Sequence, residues 1–365
     1  MSMPEPTHFH ADVSPSVTAE LKSLTTALRA KATHYELARA WPTKSLDAYT
    51  QCSGWRWGLP TSHGGLARGP GERLAGYLAL ARGDMSTALF VTQHEGAVDL
   101  IATCENEALR DYWLPRYATG EALTSIGYSQ LTTSRQGGAP AMLASPVENG
   151  FRLNGVMPWV TGAPYITNVA CGAALDNGEQ LLALVAIDQP NVRVVPAEIL
   201  CALNSTHTCE VQCDGVFVPN EDLIAGPVNN VLTQRSALRL LLVSATGVGL
   251  ALAMLDEIHE LSSRPGYGVD ADQFRSAAQR TDAYQQRLST LAQDGELNQY
   301  AIDTLRIDLD DWLVRLAGMT LVLAKGTGYR EAANAQRLAR EAMFFCVWSA
   351  SSGVRAGTIE HLLGD

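Results

Sequence analysis

The period of the hydrophobic pattern changes twice along this chain, and the order of the changes leaves few folds open. Over residues 1–121 apolar residues recur at helical spacing. Helices are predicted over 17–40, over 85–104 behind Asp84 as N-cap, and over 107–117 before Gly120. Residues 57–71, rich in Gly and Pro, read as a turn-rich loop between them. Over 122–230 the runs shorten, and 151–160, 181–187 and 209–218 carry the β-branched, turn-bounded pattern of strands. From 231 to 365 the helical period returns in four long segments, 232–262, 272–293, 297–324 and 335–363, the signature of a four-helix bundle. The expected architecture is therefore α+β: an N-terminal helical domain (1–121), a middle β domain of barrel or sandwich type (122–230) and a C-terminal four-helix bundle (231–365). Strands do not alternate with helices, so a parallel, doubly wound sheet is excluded. Gly247 and Gly249 sit inside a helical run rather than after a strand. They fail the test for a dinucleotide loop and predict close helix packing instead.

Charge narrows the partners. A formal net charge of −11 argues against nucleic acid or an anionic membrane, both of which demand clustered Lys and Arg. The uncharged run 240–255 is shorter than the ~20 residues a bilayer needs, so a buried bundle helix is expected and no membrane partner. Seven Cys at irregular spacing read as reduced thiols of a cytoplasmic protein, and residues 1–15 show no signal-peptide pattern. Cys209, Val211 and Cys213 alternate onto one face of a strand. They are expected in the core with no metal, although His207 stands close by in the sequence.

Several local motifs occur in a fixed order. GFRLNGVMPWVTG (150–162) ends on Trp159 and Thr161, and STHTCEVQCDGVFVPNEDL (205–223) opens with Thr206 and Thr208 close together. RPGYG (264–268) follows the first bundle helix, KGTGY (325–329) follows the third, and RLAREA (337–342) comes soon after. In this order and spacing they resemble the acyl-CoA dehydrogenase family over essentially the whole chain. The resemblance implies one non-covalently bound FAD per subunit. Trp159 would pack beside the flavin and Thr161 would hydrogen-bond to it. Ser129 would replace the hydroxyl of a flavin-contacting loop whose usual acidic residues are absent from 129–136. It also implies that Arg264 and the Gly326-Thr327-Gly328 turn reach the FAD of a neighbouring subunit, hence a homodimer or homotetramer. The implied substrate is an acyl thioester of CoA or acyl-carrier protein, or another small molecule.

One part is missing. Such an enzyme removes a weakly acidic α-proton with a carboxylate while hydride leaves the β-carbon. Family spacing from Arg340-Glu341-Ala342 puts Ser349 at the usual Glu position, and the alternative position on the first bundle helix falls on Arg239. Glu95 and His94 are expected to be surface or satisfied polar residues, and Glu341 and Glu360 solvated helix charges. The catalytic residue is therefore unknown from sequence. Three readings stay open: α,β-desaturation with an unidentified base, a flavin-dependent monooxygenase on the same scaffold, or a non-catalytic subunit of a heteromeric dehydrogenase.

Overall fold

The computed structural model describes residues 13–132, 139–232, 237–266, 268–293 and 298–364. The first part is helical: α1 (Pro15–Arg29), α2 (Ala32–Ala38), α3 (Thr43–Gln51), α4 (Pro70–Gly83), α5 (Met85–Thr103) and α6 (Glu107–Thr119). Local chemistry sets the last two as expected. The Asp84 carboxylate caps α5 by accepting from the Ser86 amide, and Gly120 ends α6 in the left-handed region at φ 73°. The segment expected as one helix over 17–40 is two, broken at Ala30 and Lys31. The break turns α2 toward the β domain, where Glu36 accepts from the main-chain and side-chain nitrogens of Asn204 at 2.8 and 2.9 Å.

Two helices escaped the sequence pattern. In α4 every residue from Arg73 to Ala81 is buried, so no polar face marks its period. In α3 the apolar positions are few. Part of the loop expected over 57–71 is the first turn of α4.

The middle part is one mixed sheet of eight strands: β1 (Thr124–Gly127), β2 (Met142–Val147), β3 (Gly150–Val160), β4 (Asn168–Ala174), β5 (Gln180–Ala186), β6 (Val192–Val194), β7 (Cys209–Pro219) and β8 (Leu223–Val228). Its order is β6-β7-β3-β2-β4-β5-β8, with β1 joined parallel to β4. The long antiparallel pair β3–β7 is the backbone of the sheet, and Cys209, Val211 and Cys213 point into its core as their alternation predicts.

The C-terminal part contains α7 (Ala237–Ser262), α8 (Ala271–Gln293), α9 (Gln299–Ala324), α10 (Asn334–Phe345) and α11 (Ser352–Leu363). The last predicted helix is thus two, for a reason given below. By length and composition α7 could cross a membrane, longer than the run 240–255 suggested, but 83% of its most apolar stretch is buried inside the fold. Gly247 and Gly249 do pack closely. A Cβ on Gly249 would lie 2.5 Å from the Leu78 carbonyl oxygen of α4, and one on Gly247 2.8 Å from the Leu309 side chain of α9. One hydrophobic core runs from α1 through α4 and α7 to α9 and into the sheet, so the three parts are packed as one body.

Candidate active site

A cleft of about 780 Å³ opens between the ends of β1 and β3 and the helices α7, α9 and α10. On the sheet side, β3 runs out at Trp159, whose indole is 51% exposed on the cleft wall. Gly162 then turns the chain at φ 75° and donates its amide to the Thr206 carbonyl at 2.9 Å. A Cβ there would come within 2.7 Å of the Phe90 ring, so the turn demands glycine on both counts. This crossing brings three hydroxyls together. Thr206 donates to the Leu203 carbonyl at 2.7 Å and lies 2.9 Å from Thr208, and Thr208 donates to Thr161 at 3.3 Å. Each hydroxyl has one proton, so the Thr161 proton is left for a ligand. Ser129, in the turn after β1 and on the cleft wall, carries a buried Oγ with no partner among the described residues.

A flat, half-exposed aromatic beside an available hydroxyl proton and an orphaned hydroxyl suits an isoalloxazine ring. Trp159, Thr161 and Ser129, expected together from sequence, meet here. Thr133, Ser134, Arg135 and Gln136 of the expected flavin loop lie outside the described residues. Arg264 and the Gly326-Thr327-Gly328 turn do not line the cleft. They gather instead at the far ends of α7 and α9, where Lys325 Nζ donates to the Gly266 carbonyl at 2.6 Å.

The candidate bases stand in different surroundings. Ser349 lies on the cleft wall between α10 and α11, in the left-handed region at φ 52°. Arg239 is turned away from the cleft. It donates to the Thr92 carbonyl at 2.6 Å and sits 3.7 Å from Asp99, while Leu240, Val243 and Ser244 of the same helix line the wall. Glu95 is buried in the N-terminal domain, where Tyr49, Tyr77 and Arg73 donate to it at 3.0, 2.8 and 3.1 Å. His94 accepts from the Thr124 amide at 3.1 Å, and burial pushes its pKa down to about 4. Glu360 is exposed. Glu341, expected to be solvated, is buried, and its two oxygens accept from Arg337 Nη1 at 2.8 and 2.9 Å. Desolvation outweighs the Arg337 guanidinium and raises its carboxyl to about 7. The reason is tertiary: the N-terminal part comes up to this pair, with Arg337 Nε donating to Thr33 of α2 at 3.2 Å and Asp84 and Glu36 close enough to act on Glu341.

Three residues of the wall were not read from the sequence: Asp303, Arg306 and Arg340. Gln299, Asp303 and Arg306 share one face of α9 at i, i+4 and i+7, a polar stripe beside the apolar face and the signal that was available. Among the described residues Asp303 is the one carboxylate on the wall, and Gln299 Nε2 donates to it at 2.7 Å. Arg306 holds Asp310 at 2.7 Å and donates to the carbonyls of Phe345 and Trp348 at 2.6 and 2.9 Å. These bonds take up the Phe345 carbonyl at the end of α10 and the Trp348 carbonyl in the turn beyond, and so hold the break between α10 and α11.

A helical domain, a mixed sheet and a helical bundle enclose this cleft, an arrangement shared with known proteins. Residues 22–121 match the family model described as "Acyl-CoA dehydrogenase, N-terminal domain". Mitochondrial isovaleryl-CoA dehydrogenase of Arabidopsis thaliana is 21% identical over 314 residues, 81% of this chain and 77% of that protein. A glutaryl-coenzyme A dehydrogenase solved with glutaryl-CoA superposes at a TM-score of 0.85, with 18% identity and 97% of each chain covered. Butyryl-CoA dehydrogenase of Megasphaera elsdenii superposes at 0.82, with 17% identity, over 98% of this chain and 100% of that one. Residues 22–121 thus carry an acyl-CoA dehydrogenase N-terminal domain, and the whole chain shares the fold of these dehydrogenases.

Proposed function

We propose that the protein is a FAD-dependent oxidoreductase that desaturates an acyl thioester between its α- and β-carbons, with Asp303 as the proton acceptor. The observation that carries this reading is the convergence of Trp159, Thr161 and Ser129 in one cleft with its sole carboxylate among the described residues, Asp303. Trp159 and Thr161 would hold the isoalloxazine ring against the end of β3, and the Ser129 hydroxyl would gain its missing partner. When bound, the flavin supplies the acceptor for the hydride leaving the β-carbon. The chain supplies the rest. Leu240, Val243 and Phe344 exclude water from an acyl chain, and the Asp303 carboxylate receives the α-proton. Arg264 and the Gly326-Thr327-Gly328 turn would serve the flavin of a second copy, so the working form is a homodimer or homotetramer in the cytoplasm. Val322, Tyr329 and Val347, each more than 70% exposed, offer apolar surface to such a contact.

The test is anaerobic reduction of the flavin-loaded protein by a panel of acyl-CoA and acyl-carrier-protein thioesters. Wild type should be reduced, and Asp303→Asn should be reduced ~10²–10⁴-fold more slowly with flavin content unchanged. A protein that takes up no FAD, or an Asp303→Asn variant as fast as wild type, refutes the reading. A second reading is favoured by Ser349 occupying the turn on the cleft wall: a flavin-dependent monooxygenase needs no α-proton base. Product formation that requires both oxygen and a reductant, without thioester oxidation under nitrogen, would select it.

A further inference from the structure

Helix α10 presents Arg340, Met343 and Phe344 to the cleft at i, i+3 and i+4, and Val347 lines it just past the helix end. The flanking face is closed on itself, because Arg337 donates to both oxygens of Glu341. The acid adjacent to Arg340 in sequence is therefore already used. The other guanidinium on the wall, Arg306, is satisfied by Asp310 and two carbonyls, and Asp303 accepts from Gln299. Arg340 has no ion pair or hydrogen bond among the described residues, and its Nε is buried without an acceptor. A permanently charged, half-buried guanidinium beside Met343 and Phe344 is costly until an anion reaches it.

We propose that Arg340 is the oxyanion-binding residue of the cleft and that it takes a phosphate group of the bound ligand. Arg340 and Phe345 are five positions apart along α10, a rise of ~7–8 Å, and the Ser349 turn lies beyond. The side chain leans toward the helix N-terminus, which lengthens the gap. The ligand must therefore be elongated, with its phosphate well away from the part that meets this turn. Either the cofactor or the carrier of the acyl group could bring that phosphate, and the proposal rests on the reading above only for this choice of ligands.

Calorimetric titration separates the two sources. FAD is compared with riboflavin, and CoA with pantetheine, on wild type, Arg340→Met and Arg340→Lys. Arg340→Met should weaken FAD or CoA by about 10–100-fold, as expected for a charge-assisted bond, and change the uncharged counterpart less than about two-fold. Arg340→Lys should recover part of the loss, and Arg340→Gln replaces the Met variant if that does not fold. Loss confined to FAD assigns the cofactor phosphate, and loss confined to CoA the carrier. Equal binding of both anionic probes by wild type and Arg340→Met overturns the proposal. So does a variant whose only change is dissociation of the oligomer in sedimentation, since Arg340 would then serve a subunit contact. Loss of thioester-dependent flavin reduction with this discrimination intact would sink the dehydrogenase reading alone.

Discussion

Arg306 donates to the main-chain carbonyl of Trp348 at 2.9 Å and so ties the middle of α9 to the turn on which Ser349 stands. The same guanidinium holds Asp310 at 2.7 Å, and Asp310 accepts from Thr358 of α11 at 3.3 Å. One buried cation thereby fixes both helices that flank the turn. Arg306→Met would leave Asp310 buried with its cation gone and should cost ~3–5 kcal/mol. The double variant Arg306→Met/Asp310→Leu should be less damaged than Arg306→Met, because no unpaired charge remains. Urea midpoints of the three proteins check the order, and a double variant weaker than the single one contradicts it.

Trp159 separates binding from folding. Half of its surface is in solvent, so Trp159→Ala should change the stability of the apoprotein by about 1 kcal/mol or less. Flavin affinity should fall at least tenfold, about 1.4 kcal/mol, with the loss of the stacked ring. Fluorescence titration with FAD and thermal unfolding of the apoprotein measure the two effects. Unchanged FAD affinity would remove Trp159 from the cofactor site.

Ser349 offers a test of the wall itself. In the background of Asp303→Asn, Ser349→Glu should regain part of the lost rate of flavin reduction, since position 349 already lies on the cleft. Ser349→Gly should raise stability by up to about 1 kcal/mol by relieving the left-handed backbone at φ 52°. Stopped-flow reduction and urea unfolding give the two answers. No recovery in the double variant would mean that this turn is not aimed at the substrate.

His94 predicts a pH dependence. Its pKa is about 4 in the fold, against an ordinary value of 6.5, because burial disfavours the cation. A depressed folded pKa contributes stability that is complete above pH 6.5 and is lost as pH falls through about 4. The full effect is ~3 kcal/mol. His94→Asn can still accept from the Thr124 amide but does not titrate. It should be less stable than wild type at pH 7.5 through lost packing, and the gap should narrow steadily toward pH 4. Urea midpoints of both proteins at several pH values decide it, and parallel curves would show that His94 does not contribute.

Much of this protein is local and therefore legible in the chain. Asp84 and Gly120 bound their helices through single hydrogen bonds and a single dihedral angle, chemistry that neighbouring residues suffice to specify. The alternation of Cys209, Val211 and Cys213 marks the inner face of β7, and the W-x-T pattern carried Trp159 and Thr161 to the cleft. Helix α4 was not legible, because a helix buried on all sides has no polar stripe to betray its period. Nor was the division of α10 from α11, which rests on a guanidinium contributed by α9. Glu341 shows the same limit: its sequence reads as a surface charge, and only tertiary packing, with α2 and Asp84 brought up to the Arg337–Glu341 pair, buries it. The pattern and motifs determined the order of the three parts and one wall of the cleft, since both depend on residues near in sequence. Tertiary structure alone decided what stands opposite. Asp303, Arg306 and Arg340 acquire meaning only when distant helices set them beside Trp159, and no spacing within one helix encodes that distance.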